Sequence, residues 1–441
     1  MTVALSVLVV VIALLLTAIS ASTLYWMTHA WWSPKHQQAT QYPARRRKGD
    51  RRATARPGAP LRQADVPRHS FSLIVPCREE AEEVMEATLL ALLAQTHPRV
   101  EIIFSVGHDD VETIENARRL VERHHAAAQI SINYDPIGTK NKPKQMNDAL
   151  ELCTNEILGV FDAESIAAPD LLVSIDAAFQ DRGADVVQGA VQLVNFRDSW
   201  FSLRNCLEYY FWFRSRLHAH AHQGFIPLGG NTVFIKTALL KEVGGWDGNC
   251  LAEDCELGVR LSALGHKISV AYAPELVTRE ETPATVKQLV KQRTRWSLGF
   301  MQVLRKGDWK RLPSRSDRAR AWWCLVQQHF MAFTGLILPL AILFALFLRP
   351  PLPVVMIAWL PAIPTLAMVV FECAALKEFG RDHGFRIRLR DYVRLVISTP
   401  FYQVLLAVAS IRAAIKFQRG DFGWEKTSHS GAHLTMMKAN A

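Results

Sequence analysis

Long apolar stretches lie at both ends of the chain, and the middle alternates short apolar runs with amphipathic segments. Residues 3–19 are almost entirely apolar, and two further apolar stretches, 331–348 and 352–371, come late in the sequence. Each approaches the roughly 20 residues that a membrane-spanning helix needs. The middle, with its Val-, Ile- and Phe-rich runs, has the pattern of an α/β domain. We therefore expect a folded middle with membrane helices at both ends.

Four strands can be placed at the start of this middle segment. Apolar runs predict strands at 71–75, 100–106, 129–134 and 157–161, with helical spacing between them. Strands separated by helices favour a parallel sheet with helices on both faces. Such sheets bind ligands at the carboxyl ends of their strands. Side chains that directly follow the fourth strand are therefore the first candidates for a site.

The distribution of charge orients the predicted membrane helices. The formal net charge is +10, and basic residues are concentrated at 45–68 and 377–394, beside the apolar stretches. Basic flanks lie on the cytoplasmic side, which predicts an outside N terminus and a cytoplasmic middle domain. Anionic lipid is favoured over nucleic acid as a partner, because no nucleic-acid-binding motif is found. No Lys or Arg precedes Lys35, so an uncleaved anchor is favoured over a signal peptide.

Two pairs of carboxylates could carry chemistry. Asp162 and Glu164 follow the fourth predicted strand, and alternate carboxylates at a strand end can share Mg²⁺ or Mn²⁺ with a diphosphate. Glu253 and Asp254 open a predicted helix, where a carboxylate could act as a general base. Acidic residues at such positions also cap helices or interact with the helix dipole. Neither pair identifies a function alone.

A third group of polar residues lies in a long amphipathic segment, 283–303. Gln292, Arg295 and Trp296 share one helical face, because they stand at positions i, i+3 and i+4. Arginine binds phosphate in a bidentate manner, and an indole can stack on a sugar ring. The same face would also suit an interfacial helix with an aromatic anchor. Lys142 opens another helix, where an amino group can meet a phosphate.

In this order, the motifs resemble those of family 2 glycosyltransferases, and most of all the processive cellulose, chitin and hyaluronan synthases. The resemblance covers about residues 71–300 and rests on six stretches: IVPCREE, NKPKQMNDAL, VFDAES, LGGNTVFIKTALLKEVGGWD, LAEDCELGVRL and QRTRW. It implies a Rossmann-like GT-A domain in an α/β chain with transmembrane and interfacial helices at both ends. It further implies an inverting hexosyltransferase in the inner or plasma membrane, which adds sugar from a nucleotide diphosphate donor, such as a UDP-sugar, to a growing β-linked glycan.

Two alternatives stay open. An enzyme of the same fold could transfer a single sugar to a lipid, such as an isoprenoid phosphate, a ceramide or a diacylglycerol. A non-catalytic membrane subunit that binds a glycan or a nucleotide would not need the carboxylates. Three membrane helices enclose only a narrow channel, so translocation of a polymer would call for a second copy of the chain or an export partner.

The resemblance also implies roles for individual residues. Asp162 and Glu164 match the D-x-D position that holds Mg²⁺ or Mn²⁺, although many members carry Asp at the second position. Asp254 matches the catalytic base, and Glu253 stands beside it. The residues that match positions binding the donor or the acceptor are Lys142, Gly229, Gly230, Asn231, Gln292, Arg295 and Trp296.

Two further matches are looser. The second strand of the family ends in an Asp pair that holds the donor base, and here Asp109 and Asp110 follow that strand after a short offset. The C-terminal stretch 422–427 resembles the gating loop of cellulose synthase only in part. Such a loop would have to be cytoplasmic.

These patterns divide the chain into six segments. An apolar stretch near the end, 395–415, has basic residues on both sides, which favours a helix lying in the interface over one that spans. The expected segments are an N-terminal transmembrane anchor (1–32), a basic cytoplasmic linker (33–69), the GT-A domain (70–282), interfacial amphipathic helices (283–330), two transmembrane helices (331–372), and a basic loop, an interfacial or transmembrane helix and a cytoplasmic tail (373–441).

Overall fold

A computed structural model describes most of the chain, and the ranges it describes are 3–32, 67–124, 128–133, 141–347 and 351–425. Most of the predicted basic linker therefore lies outside the described residues. An N-terminal helix, an α/β domain and a C-terminal group of long helices follow one another along the chain. This order agrees with the alternation of apolar and amphipathic segments.

Nine strands were found within the described residues, and all lie in the α/β domain. They are β1 (Phe71–Cys77), β2 (Val100–Gly107), β3 (Ala128–Asn133), β4 (Ile157–Val160), β5 (Val186–Gln188), β6 (Val191–Leu193), β7 (Val233–Lys236), β8 (Ile268–Val270) and β9 (Thr278–Glu280). Seven of them form one sheet in the order β3-β2-β1-β4-β7-β5-β8, and β6 pairs with β9 in a second sheet. The four strands predicted from apolar runs are confirmed as β1 to β4.

The four predicted strands pair in parallel, as expected, but the complete main sheet is mixed because of one further strand. β7 runs antiparallel to both β4 and β5, whereas the other neighbouring strands are parallel. The reason lies in the preceding loop, which returns to the carboxyl end of β4, where the Thr232 amide donates to the Val160 carbonyl at 2.8 Å. The chain consequently enters β7 from the edge of the sheet at which β4 ends.

Helices cover the sheet and continue beyond it. They are α1 (Val3–Trp32), α2 (Glu82–Leu93), α3 (Val111–Arg123), α4 (Lys142–Leu152), α5 (Leu171–Arg182), α6 (Ser202–Phe211), α7 (Leu217–His222), α8 (Thr237–Glu242), α9 (Glu253–Ala263), α10 (Val286–Lys306), α11 (Arg315–Phe347), α12 (Leu352–Trp359), α13 (Ala362–Asp382) and α14 (Leu389–Gln418). A π-helical turn, Trp212–Arg216, joins α6 to α7. Local signals set several starts: the Asn141 side chain caps α4, with Pro143 in the first turn.

The sheet lies between two apolar clusters, one on each face. Fully buried side chains of the first face include Leu73, Phe104 and Phe161, and those of the second include Ile74, Ile103 and Leu158. Alternate residues of each strand thus face opposite layers, as a sheet covered on both sides requires. The carboxyl ends of the strands are left open for a site.

Three stretches of the described chain are long and apolar enough to cross a membrane, judged by length and composition: Ser6–Trp32, Leu352–Asp382 and Leu389–Gln418. The predicted span at 331–348 falls in α11, where most side chains lie outside the described residues, and it stays a prediction. Near α6, α1 and α13 meet the α/β domain: the Trp31 ring lies 5.7 Å from that of Tyr210, and Arg204 forms a buried ion pair with Glu372 at 2.6 Å.

The last helix, α14, packs against the α/β domain in its first half and against α10 towards its end. Near its start Asp391 pairs with Arg197 at 2.8 Å, and in its middle Tyr402 donates to Glu208 at 2.8 Å. Towards its end Ala413 packs in a cluster with Leu298 of α10. This arrangement favours the predicted interfacial position, which remains a prediction because α14 is also long enough to span.

Candidate active site

Three carboxylates meet at the carboxyl end of β4. Asp162 and Glu164 follow this strand, and Glu280 is the last residue of β9. An isolated β-bridge between Ile166 and Arg279 holds β9 beside the segment that follows β4. Oxygen atoms of the three side chains all lie within 4.8 Å of one another. Hard oxygen donors in such a set are those that Mg²⁺ and Mn²⁺ prefer. The residues present therefore fit a divalent metal ion.

Glu280 is held from two sides inside this cluster. It is 6% exposed, accepts a hydrogen bond from Ser165 at 2.9 Å and accepts another from the amide of Asn231. Burial, together with the negative charges of Glu164 and Asp162, raises the pKa of Glu280 well above the ordinary value. A cation would relieve this repulsion.

The second pair of carboxylates faces the first across Lys142. Glu253 and Asp254 open α9, and burial raises the pKa of both carboxyl groups, that of Asp254 strongly and with a further contribution from Glu253. The Lys142 ammonium donates to Asp162 and to the Gly230 carbonyl, the latter at 2.9 Å. Although burial lowers its pKa, the surrounding carboxylates outweigh burial and raise the pKa of Lys142. Lys142 thus stays charged between the two pairs.

The loop before β7 closes one side of the site. A Cβ atom at Gly230 would overlap the Asp254 carboxylate, which would then have to move from its present position. Asn231 is buried, and its neighbour Thr232 adopts a φ of 55°, in the left-handed region that side chains other than glycine rarely adopt. Backbone strain of this kind is typical of functional loops.

The polar face of α10 points into the same site. The Oε1 atom of Gln292 and the Nε atom of Arg295 are buried and have no hydrogen-bond partner among the described residues. The Trp296 ring lies 6.4 Å from that of Tyr209, and the Arg293 guanidinium lies 4.6 Å from the Trp296 ring centre. Unpaired polar atoms beside an aromatic ring provide what a sugar phosphate needs: donors, acceptors and a stacking surface.

A cavity of about 630 Å³ joins these groups to the membrane helices. At one end it is lined by both carboxylate pairs and by the Gln292, Arg295 and Trp296 side chains. It continues past Arg204 and Glu372 to a part lined by residues such as Leu16, Ser20 and Thr23 of α1 and Pro364, Met368 and Val369 of α13. Among the described lining residues, none contributed by α1, α13 or α14 is aromatic.

Eleven of the thirteen residues selected from the sequence line this cavity: Lys142, Asp162, Glu164, Gly229, Gly230, Asn231, Glu253, Asp254, Gln292, Arg295 and Trp296. The other two, Asp109 and Asp110, are not among its lining residues. Asp109 pairs with Arg78 at 3.0 Å, and Asp110 caps α3 through a hydrogen bond from the Thr113 amide. Their role in holding a donor base stays a prediction.

Sequence reasoning did not select Glu280, Tyr209 or the Arg204–Glu372 pair. Glu280 lies on a strand of three residues that pairs with β6, far away in the sequence, and no local motif marks it. Arg204 and Glu372 are separated by 168 positions. The one available signal for Glu372 was its place directly after the apolar stretch 352–371, because charged residues in a membrane helix are costly unless paired.

Comparison with known proteins identifies the family. Residues 67–299, more than half of the chain, match the family model described as glycosyltransferase like family 2. The chain belongs to glycosyltransferase family 2 and is therefore a glycosyltransferase.

Relatives with different products are found among the curated proteins. The chain is 26% identical to a β-monoglucosyldiacylglycerol synthase of Trichormus variabilis, over 70% of this chain and 67% of that protein. It is 22% identical to a poly-β-1,6-N-acetyl-D-glucosamine synthase of Staphylococcus epidermidis, over 56% of this chain and 58% of that protein. One of these names specifies a glycolipid and the other a polysaccharide.

A solved structure shares the fold. The mannosyltransferase of Pyrobaculum calidifontis, determined in complex with GDP-Man and Mn²⁺, matches with a TM-score of 0.51 at 17% identity, covering 91% of this chain and 99% of that one. This likeness supports the GT-A fold of the α/β domain. The expectation of that fold is confirmed.

Proposed function

We propose that this enzyme transfers a hexose, with inversion, from a nucleotide diphosphate sugar to a hydroxyl group of a membrane lipid. The observation that carries the proposal is the cavity, which runs from Asp254 to the space between α1 and α13. Aliphatic and small side chains line its membrane part, and these suit an acyl or isoprenoid chain. The monoglucosyldiacylglycerol synthase of T. variabilis is a relative with an acceptor of this class.

The transfer itself needs a base, and Asp254 is placed to act as one. Its carboxylate takes the proton of the acceptor hydroxyl, whose oxygen attacks the anomeric carbon as the diphosphate departs from the opposite face. The raised pKa of Asp254 makes it a stronger base than an ordinary aspartate once it is deprotonated. Glu253, directly beside it, contributes to that raised pKa.

Charge on the leaving diphosphate is met from two sides. Asp162, Glu164 and Glu280 would hold Mg²⁺ or Mn²⁺, which supplies positive charge to the departing diphosphate when bound. Lys142 and Arg295 add fixed positive charge from the protein, and a single preorganised donor of this kind is worth roughly 10²–10³ in rate. The Trp296 ring is placed to stack on a sugar.

A growing β-linked glycan is the second candidate acceptor. Trp296, Tyr209 and Phe213 form an aromatic group beside the carboxylates, with ring distances of 6.4 Å and 6.2 Å. Aromatic faces bind pyranose rings and would suit the end of a polysaccharide. The lining residues that α1 and α13 contribute carry no aromatic ring, so an extended sugar chain finds fewer stacking surfaces on those two helices.

The orientation in the membrane follows from the charge pattern. We place the α/β domain in the cytoplasm of the cell, at its inner or plasma membrane, because basic residues flank the predicted spans on this side. Nucleotide sugars are then available to the site directly. Labelling of cysteines introduced at each terminus, in intact cells and after lysis, tests the placement.

The test of the proposed function is a donor and acceptor screen. Purified enzyme in detergent is incubated with Mn²⁺, a panel of nucleotide sugars and either diacylglycerol or no lipid, and nucleotide diphosphate release is measured beside Asp254→Asn. Lipid-dependent release from one donor, with a single sugar on the extracted lipid, is the expected result. A ladder of products without added lipid would replace the lipid acceptor with the glycan. Equal release by Asp254→Asn would overturn the assignment of the base.

A further inference from the structure

The exposed face of α14 is apolar from one end to the other. Leu389, Val393, Ile397, Phe401, Val408 and Ile415 recur at helical spacing and are each more than 40% exposed. The opposite face packs on Arg197 of the α/β domain near the start of the helix and on Leu298 of α10 near its end. A helix of 30 residues is about 45 Å long. A helix that packs on the rest of the chain along one side and has an apolar stripe on the other suits a position along a membrane surface.

A groove of about 440 Å³ opens at the C-terminal end of this helix. Its apolar wall consists of Val408, Ile411 and Ile415, which belong to the exposed stripe. Its polar wall carries three basic residues, Arg412, Lys416 and Arg419, one helical turn apart. A wall of aliphatic side chains beside a row of cations matches the chemistry of a phospholipid, with its chains on one side and its phosphate on the other.

Two carboxylates of the chain itself already lie on these cations. Glu425 accepts from Arg412 at 2.8 Å and from Lys416 at 3.3 Å, and Asp421 pairs with Lys416 at 3.2 Å. The five charged side chains of the groove leave an excess of one positive charge. Arginine binds phosphate and carboxylate in the same bidentate manner, so the Glu425 carboxylate occupies the place that a phosphate would take.

The occupied groove and the catalytic cavity are separate pockets that adjoin each other at Trp424 and Glu425. Trp424, next to Glu425, lines that cavity, and the cluster in which it packs includes Leu251, just ahead of the Glu253–Asp254 pair. A ligand that replaces Glu425 on Arg412 would therefore act on the segment that carries Trp424. An anionic lipid bound in the groove can in this way change the position of a residue that lines the catalytic cavity.

We infer that the groove lined by Arg412, Lys416 and Arg419 binds the headgroup of an anionic phospholipid in competition with Glu425. The lipid phosphate takes the guanidinium of Arg412 and the ammonium of Lys416, and the acyl chains lie against Val408, Ile411 and Ile415. The site is separate from the acceptor cavity, so it does not depend on which acceptor the enzyme uses.

The test measures lipid binding without any sugar donor. The full chain in a neutral detergent is titrated with short-chain phosphatidylglycerol, with phosphatidylcholine of the same chains, and with inorganic phosphate, and binding is followed by thermophoresis. Phosphatidylglycerol is expected to bind most tightly. Arg412→Gln and Lys416→Gln are each expected to weaken it by about fivefold, from the attraction of one basic residue to an anionic surface. Glu425→Gln is expected to strengthen it, because the internal competitor is lost.

A matched control separates the groove from charge in general. Arg119→Gln removes a half-exposed arginine that also pairs with a glutamate, Glu82, on the far part of the α/β domain, and it should leave lipid binding unchanged. Equal binding of phosphatidylglycerol and phosphatidylcholine would overturn the inference. Binding of inorganic phosphate as tight as that of phosphatidylglycerol would reduce the groove to a simple anion site. Unchanged lipid affinity in Glu425→Gln would exclude the competition, even if the arginine variant failed to fold.

Discussion

One buried carboxylate of the α/β domain, Asp176, has properties opposite to those of the carboxylates in the candidate active site. Asp176 of α5 lies at the amino-terminal side of the sheet and is surrounded by hydrogen-bond partners. These are the His97 ring at 3.3 Å, the His69 ring at 2.6 Å, the Gln180 amide at 3.0 Å and the Arg68 amide at 2.7 Å. Although burial raises its pKa, these hydrogen bonds outweigh burial and hold the pKa of Asp176 far below the ordinary value. Its negative charge stabilises the fold.

The carboxylates of the site are arranged in the opposite way. Burial and neighbouring negative charges raise the pKa of Asp254 and of Glu280. Asp162, Glu253, Asp254 and Glu280 all interact with the ammonium group of Lys142. Repulsion among buried carboxylates lowers the free energy of unfolding. Groups with strongly shifted pKa values of this kind are concentrated at active sites. Asp176, whose hydrogen bonds favour its charged form, therefore has the properties of a structural residue. Asp254 and Glu280, which lie among other negative charges, have the properties of active-site residues.

The largest expected effect comes from Asp254→Asn. The substitution keeps the shape of the side chain but removes the base, so sugar transfer should fall by about 10²–10⁴. It also removes one charge from a repelling cluster, so the melting temperature should stay the same or rise. Transfer rates and thermal unfolding of purified enzyme check both. Transfer within a few-fold of the wild type, or a clear loss of stability, would place Asp254 with Asp176 as a structural residue.

Glu280→Gln should affect metal binding next. Loss of one of three carboxylates is expected to weaken Mn²⁺ binding by at least about tenfold, and the loss of repulsion should leave the metal-free protein no less stable. Electron paramagnetic resonance of Mn²⁺ measures the affinity directly, without relying on activity. Glu281→Gln is the matched control, since Glu281 is a buried neighbour that lines the same cavity outside the acidic cluster. Equal Mn²⁺ affinity in the two variants would remove Glu280 from the site.

A site residue can be predicted from the sequence when the residues that position it are its neighbours in the chain. Asp162 and Glu164 follow an apolar strand directly, and Glu253 and Asp254 open a helix, so their positions could be predicted from a few neighbouring residues. Glu280 could not, because its place depends on the pairing of β9 with β6, some 87 residues earlier at Leu193↔Glu280. Long-range pairing leaves no periodic trace in strands of three residues.

The same limit applies to the sheet and to the cavity. An apolar run can indicate that a strand such as β7 exists, but it cannot give the direction of the strand. That direction depends on the return of the preceding loop to β4. The apolar stretches at both ends predict membrane helices, yet they carry no information about the cavity between α1 and α13. That cavity arises from helices more than 300 residues apart. Packing of this kind becomes visible only in three dimensions.

Asp176→Asn should reverse the behaviour of Asp254→Asn. The amide can no longer accept all the hydrogen bonds from Arg68, His69 and Gln180, and unsatisfied buried donors cost about 1–3 kcal/mol. Chemical denaturation should therefore show a lower free energy of unfolding, with transfer activity preserved at temperatures where the variant is folded. A variant as stable as the wild type would show that the hydrogen bonds around Asp176 contribute little.

The smallest effect, and the sharpest comparison, is in the response to pH. The pKa of Asp176 is lowered in the folded state, so its contribution to stability is present above the unfolded value, about 3.9, and is lost as the pH falls through the lower folded value. The pKa of Asp254 is raised, so the base is protonated and activity is lost at a higher pH. On lowering the pH, activity should therefore disappear before unfolding begins. Profiles of kcat/KM and of thermal unfolding are measured over the same pH range. If activity and stability fell at the same pH, the separate roles assigned to Asp254 and Asp176 would be contradicted.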